Sequence, residues 1–202
     1  MARPRQVTDE QILQTMRDSV LQHGPAVSLD VVAEQLNVTA PALIKRFGTR
    51  RALLIAALKP PEASAVFDDL ARGPDGRPLP EQLEGLIGAF TEFFGHAMPC
   101  IIALRESGIP HSELYRANEA PLPLRLIRAL TKWLGQAQTQ GLIDCDAHDT
   151  AATAVVGALT TRAFTAHLTQ TPWSGRAQRE YGKQLAQLFT RALSPTPRKP
   201  HS

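Results

Sequence analysis

Ser28-Leu-Asp-Val-Val-Ala-Glu-Gln-Leu-Asn-Val-Thr-Ala-Pro-Ala-Leu-Ile-Lys-Arg-Phe-Gly-Thr-Arg-Arg-Ala-Leu-Leu54 is the stretch whose reading decides the fold. Ser28 caps a short helix carrying Val31, Val32 and Leu36. Asn37-Val38 breaks it, and Thr39 caps the next helix, with Pro41 in the first turn, where its missing N–H does little harm. Leu43 and Phe47 stand four residues apart and face a core. Gly48 ends that helix, and Thr49 caps another running through Leu53, Leu54 and Leu58. Two short helices joined by a tight turn have helix-turn-helix spacing. Such a motif needs a second helix that enters the major groove, bracing from a crossing partner and cations near its end. Leu36, Val38, Leu43 and Phe47 supply the bracing, and Lys45, Arg46 and Arg50 the cations.

Upstream, Thr8 or Asp9 caps a helix with Ile12, Met16 and Val20 on one face, closed by Gly24-Pro25. Downstream, Pro60-Pro61 breaks the chain, and Gly73-Pro-Asp-Gly-Arg-Pro78 forms a loop. A long amphipathic segment follows with Leu83, Leu86, Ile87, Phe90, Phe93 and Phe94, interrupted at Pro99. Further helices are expected over 121–140, 147–168 and 175–193. The expected fold is all-α, about nine helices in two groups: a three-helix helix-turn-helix domain over 1–59 (motif about 28–47), then a larger bundle over 60–194. The proline-rich tail 195–202 is expected to be disordered.

The chain has 202 residues, is 43% hydrophobic and 20% charged, and suits a soluble globular protein. Its two cysteines exclude a disulfide framework and a four-cysteine zinc site. The apolar runs Ala52–Leu58 and Ala151–Leu159 are too short for a bilayer, and the N-terminus has no secretory pattern, so a cytoplasmic protein is expected. Residues 1–60 carry eight Lys or Arg against five Asp or Glu, and the rest of the chain carries fourteen of each. The whole net charge of +3 therefore sits in the first third. A localised basic patch suggests a polyanion partner; the competing explanation is a solvated helix end, where cations are also favoured.

This wording resembles the DNA-binding domain of the TetR (tetracycline-repressor) family of bacterial transcriptional regulators. The matches are Ser28, Val32-Ala33, Val38-Thr39, Leu43, Phe47, Arg50 and Leu53-Leu54, within about residues 8–58. Asn37 stands where the family usually has Gly, but Asn tolerates a left-handed turn. Ile44 replaces a Tyr that often contacts the DNA backbone, a loss that Lys45-Arg46 offsets. Pro60-Pro61 interrupts the helix that usually links the two domains, contrary to the family's usual account of signal transmission. The resemblance implies that Ser28, Lys45, Arg46 and Arg50 hold phosphates, with Arg3 and Arg5 as an arm. It implies that Thr39, Ala40, Pro41, Ala42 and Ile44 face base edges, with Thr39 and Lys45 making most of the polar readout. Ile44 alternatively belongs to the core.

In the C-terminal region Ala151, Ala152, Ala154, Gly157 and Ala158 permit close helix approach. They serve either intrachain packing or, as the resemblance implies, a homodimer through the last two helices. Phe90, Phe94, Met98, Trp133 and Phe164, with Arg105 and His167 as polar members, line an effector pocket or are plain core and surface. Cys145-Asp-Ala-His-Asp149 lacks metal-site spacing; Asp146 is expected instead to cap the next helix. No catalytic motif, metal or cofactor is expected. The expected function is a ligand-responsive DNA-binding regulator, a repressor that leaves its operator when a small molecule binds. The alternative is a small helical enzyme or carrier using the C-terminal cavity, docked through the basic bundle.

Overall fold

A computed structural model describes residues 7–59, 64–110, 113, 120–171 and 173–195. The described residues form nine α-helices and no strand. They are α1 (Asp9–His23), α2 (Leu29–Gln35), α3 (Ala40–Phe47), α4 (Arg50–Leu58), α5 (Ser64–Arg72), α6 (Leu79–Glu106), α7 (Leu122–Thr139), α8 (His148–Leu168) and α9 (Gly175–Leu193). Arg3, Arg5, the Pro60-Pro61 break and residues 196–202 of the tail lie outside the described residues.

The chain divides into two compact units. The first takes residues 1–60 together with 97–119, and the second takes 61–96 and 120–202. The helix-turn-helix unit thus includes the last part of α6. Cys100, Ala103, Leu104 and then Ile109 are buried in one cluster with Ile12, Met16, Leu43 and Leu53. A three-helix bundle has little interior of its own, and these four side chains enlarge it. Burial pushes the Cys100 thiol up from its ordinary range.

In the second unit α7 packs along α8 and also meets α5. Phe90, Phe94, Trp133, Leu134 and Leu159 are almost fully buried there. The crossing of α6 and α9 is close and polar. Gln178, itself buried, donates Nε2 to the Thr91 carbonyl at 2.6 Å. Gly95 makes room for it, since a Cβ there would lie 2.1 Å from that nitrogen.

Two local expectations change. α6 runs unbroken from Leu79 to Glu106 with Pro99 inside it, where the sequence suggests an interruption. A helix keeps its course through a proline when packing on both sides offsets the lost hydrogen bond, and both Ala97 and Cys100 are buried. Asp146 does not cap α8; the cap position is Ala147, without a side-chain bond. Among the described residues α6 is also the one helix long and apolar enough to cross a membrane, yet half of that window is buried within the protein. Burial of that kind is what a core helix requires.

Candidate nucleic-acid interface

The helix-turn-helix is built by local capping. Ser28 Oγ accepts from the Val31 N–H at 3.4 Å, Thr39 Oγ1 from Ala42 at 3.3 Å and Thr49 Oγ1 from Ala52 at 3.0 Å. Thr8 and Gln11 form a reciprocal capping box at the start of α1. Each cap satisfies an N–H that would otherwise be orphaned at a helix start. Asn37 turns the chain between α2 and α3 at φ +53°, the left-handed conformation the turn demands. Gly48, at φ +85°, does the same between α3 and α4.

These turns give α3 two faces. Leu43 is buried, and Ala40 and Phe47 pack against the same core. Pro41, Ala42 and Lys45 are exposed, as are Ser28 and Thr39. Ile44 is half-buried and stands outside the core cluster. The outward face is therefore apolar, edged by two hydroxyls and an ammonium group. Such a face can touch thymine methyls and offer a few hydrogen bonds, but little bidentate readout.

The arginines are placed differently from Lys45. Arg46 donates Nη1 to the Val7 carbonyl at 2.6 Å and pairs with Asp9. Arg50 donates Nη2 to the Pro25 and Val27 carbonyls, at 2.5 and 2.8 Å. Arg51 is bidentate to Glu113. Lys45 has no partner among the described residues. Helical spacing carries no signal for these bonds, because each joins segments 23 or more positions apart.

Of the residues expected around an effector, Phe90, Phe94 and Trp133 are buried in the second unit and His167 is half-buried there. Phe164 is 43% exposed. Met98 and Arg105 belong to the first unit. A cavity of about 10 Å³ in the second unit is lined by Leu83, Ile87, Phe90, Leu130, Leu134 and Val155 among others. Phe90 alone of the expected set lines it; the aliphatic i, i+3, i+4 stripe of α6 was the available signal. No cluster of metal-ligating residues exists among the described residues.

The family model for the C-terminal domain of the AefR-like transcriptional repressor matches residues 106–192. Those residues carry a C-terminal domain of the TetR family of transcriptional regulators. That match lies wholly outside the stretch, about residues 8–58, that carries the helix-turn-helix wording. Solved structures share the fold along nearly the whole chain. A putative TetR-family regulator from Mesorhizobium loti is similar at TM-score 0.66 and 16% identity, over 93% of this chain and 96% of its own. The ketosteroid transcriptional regulator KstR2 of Mycobacterium tuberculosis is similar at 0.65 and 16%, over 95% and 98%. A TetR regulator from Streptomyces coelicolor is similar at 0.57 and 22%, over 94% and 99%. No curated protein matches the chain by sequence. The all-helical fold with an N-terminal helix-turn-helix is the one these regulators share.

Proposed function

We propose that the protein is a cytoplasmic, homodimeric repressor that holds an operator through α3 and releases it when a small molecule occupies the second unit. The exposed α3 face carries this reading. Thr39, Pro41, Ala42, Ile44 and Lys45 form the base-facing set, with Ala40 closer to the core, and Ser28 and Lys45 meet phosphates. Arg46, with its ion pair at the protein surface, flanks the same edge.

The dimer reading is supported by α8 and α9. Ala154, Thr161, Phe164 and Leu168 are exposed at helical spacing on α8 without a charge among them, and Leu188 is 62% exposed on α9. The Cβ position of Gly157, on the same side of α8, is open. Apolar helix faces of this kind are buried in isologous interfaces, and two reading heads span two half-sites.

The effector reading is supported by the apolar second unit. Its cavity of about 10 Å³ is far below the several hundred Å³ that small-molecule sites occupy. An effector therefore has to favour a more open packing of Phe90, Leu130 and Leu134, and it acts by shifting that population.

The test is selection of genomic fragments by the purified protein at about 150 mM salt, where non-specific phosphate binding is weak. Enrichment of a two-fold symmetric site supports the reading. Retention of DNA without a common site, or of none by the folded protein, contradicts it.

A further inference from the structure

Arg50 is the first residue of α4, directly after the Thr49 cap. Its side chain crosses back to the turn between α1 and α2. That turn opens at Gly24, at φ +84°, and exposes carbonyls that no helix satisfies. A single Arg50 nitrogen, Nη2, donates to two of them, Pro25 and Val27. Val27 is buried and immediately precedes Ser28, the cap of α2. One guanidinium thus ties the start of the first motif helix to the start of the helix that follows the second. A cation spent on two carbonyls is held in a fixed orientation by its planar fork. Exposed Lys45 has no such commitment.

We infer that Arg50 is a positioning residue for DNA binding. It sets the Ser28 cap and α2 in register with α3 and α4, and it does not serve as a phosphate ligand. The inference rests on the reading of α3 as the DNA-contacting helix. It reassigns the charge count at the interface. Lys45 releases a counterion when DNA binds, whereas Arg50 acts on the geometry of the groups that do.

Salt dependence separates the two roles, because each phosphate neutralised contributes about 0.9 to the slope of log affinity against log salt. The probe is a labelled duplex that the wild-type protein selects from a random-sequence pool, titrated well below the melting temperature. Arg50→Ala is expected to weaken binding about tenfold, the scale of one lost charge-assisted hydrogen bond, with the slope unchanged. Lys45→Ala is expected to lower the slope by about 0.9. Arg50→Lys keeps the charge but not the fork, and binding is expected to stay several-fold weaker than wild type. A slope lowered by about one in Arg50→Ala, or wild-type affinity in Arg50→Lys, makes Arg50 a phosphate ligand and overturns the inference. Unchanged affinity in Arg50→Ala makes the bracket merely structural and also overturns it. If Arg50→Ala does not fold, Arg50→Lys alone decides. A pool that yields no selected duplex breaks the DNA reading, and the inference falls with it.

Discussion

The helices of the N-terminal unit and those of the second unit begin in different ways. α1 to α4 each start on a Ser or Thr whose hydroxyl accepts a backbone N–H. α7, α8 and α9 start on Pro121, Ala147 and Ser174 with no such bond. The first four helices have 7 to 15 residues, too few to be stable alone. A reading head needs short helices at fixed angles, and caps define where each begins. The helices of 18 to 21 residues in the second unit draw their stability from burial along their length. The difference assigns precision to one unit and volume to the other, in keeping with the proposed function, in which one part matches a groove and the other admits an effector.

The comparison breaks most visibly in the cores. Phe90→Ala is expected to cost about 3–5 kcal/mol and Leu43→Ala about 2–5 kcal/mol. Trp133 and Trp173 both lie in the second unit, so tryptophan fluorescence during urea unfolding reports that unit. Phe90→Ala should move this transition strongly, and Leu43→Ala should move chiefly the helical signal of the other unit. Equal movement of fluorescence in both variants would show that the units unfold as one.

A second contrast lies within α6. Gly95→Ala displaces Gln178 from the Thr91 carbonyl, and loss of that buried bond is expected to cost about 1–3 kcal/mol by urea midpoint. Gly88 is exposed with open space at its Cβ position, so Gly88→Ala should stabilise by about 0.5–1 kcal/mol. Equal effects would remove the α6–α9 crossing from the account. The caps make a smaller and more direct comparison. Thr49→Ala should cost about 1 kcal/mol, and Ser174→Ala should be close to neutral, because its hydroxyl caps nothing. The smallest effect is chemical. Burial raises the Cys100 pKa and leaves little of the reactive thiolate at pH 8, so a thiol reagent should label half-buried Cys145 first and Cys100 only on unfolding.

The same division explains what sequence alone reveals. Ser28, Asn37, Thr39, Gly48 and Thr49 act on backbone within a few residues of themselves, and each is readable where it stands. The partners of Arg46 and Arg50 are set by tertiary folding, so residue spacing alone suggests only basic residues near a helix end. The recruitment of Cys100 and Leu104 into the first unit has the same cause: it depends on α6 continuing through Pro99, which packing decides and local preference opposes. In the second unit Leu, Ala and Phe recur at helical spacing on every helix. That pattern identifies a bundle but does not distinguish the cavity wall from the remaining core, which is why Phe90 was found and Leu83 and Leu130 were not.

The central claim is that the outward face of α3 meets DNA, and Ala42→Asp tests it most directly. Ala42 is exposed in the first turn of α3, where a carboxylate favours the helix, so the variant keeps its fold. Against the selected duplex, a carboxylate facing phosphates and base edges should weaken binding by more than about a hundredfold, with helical content and oligomeric state unchanged. Wild-type affinity in Ala42→Asp would contradict the account, since no DNA-bound α3 could present this position to the groove.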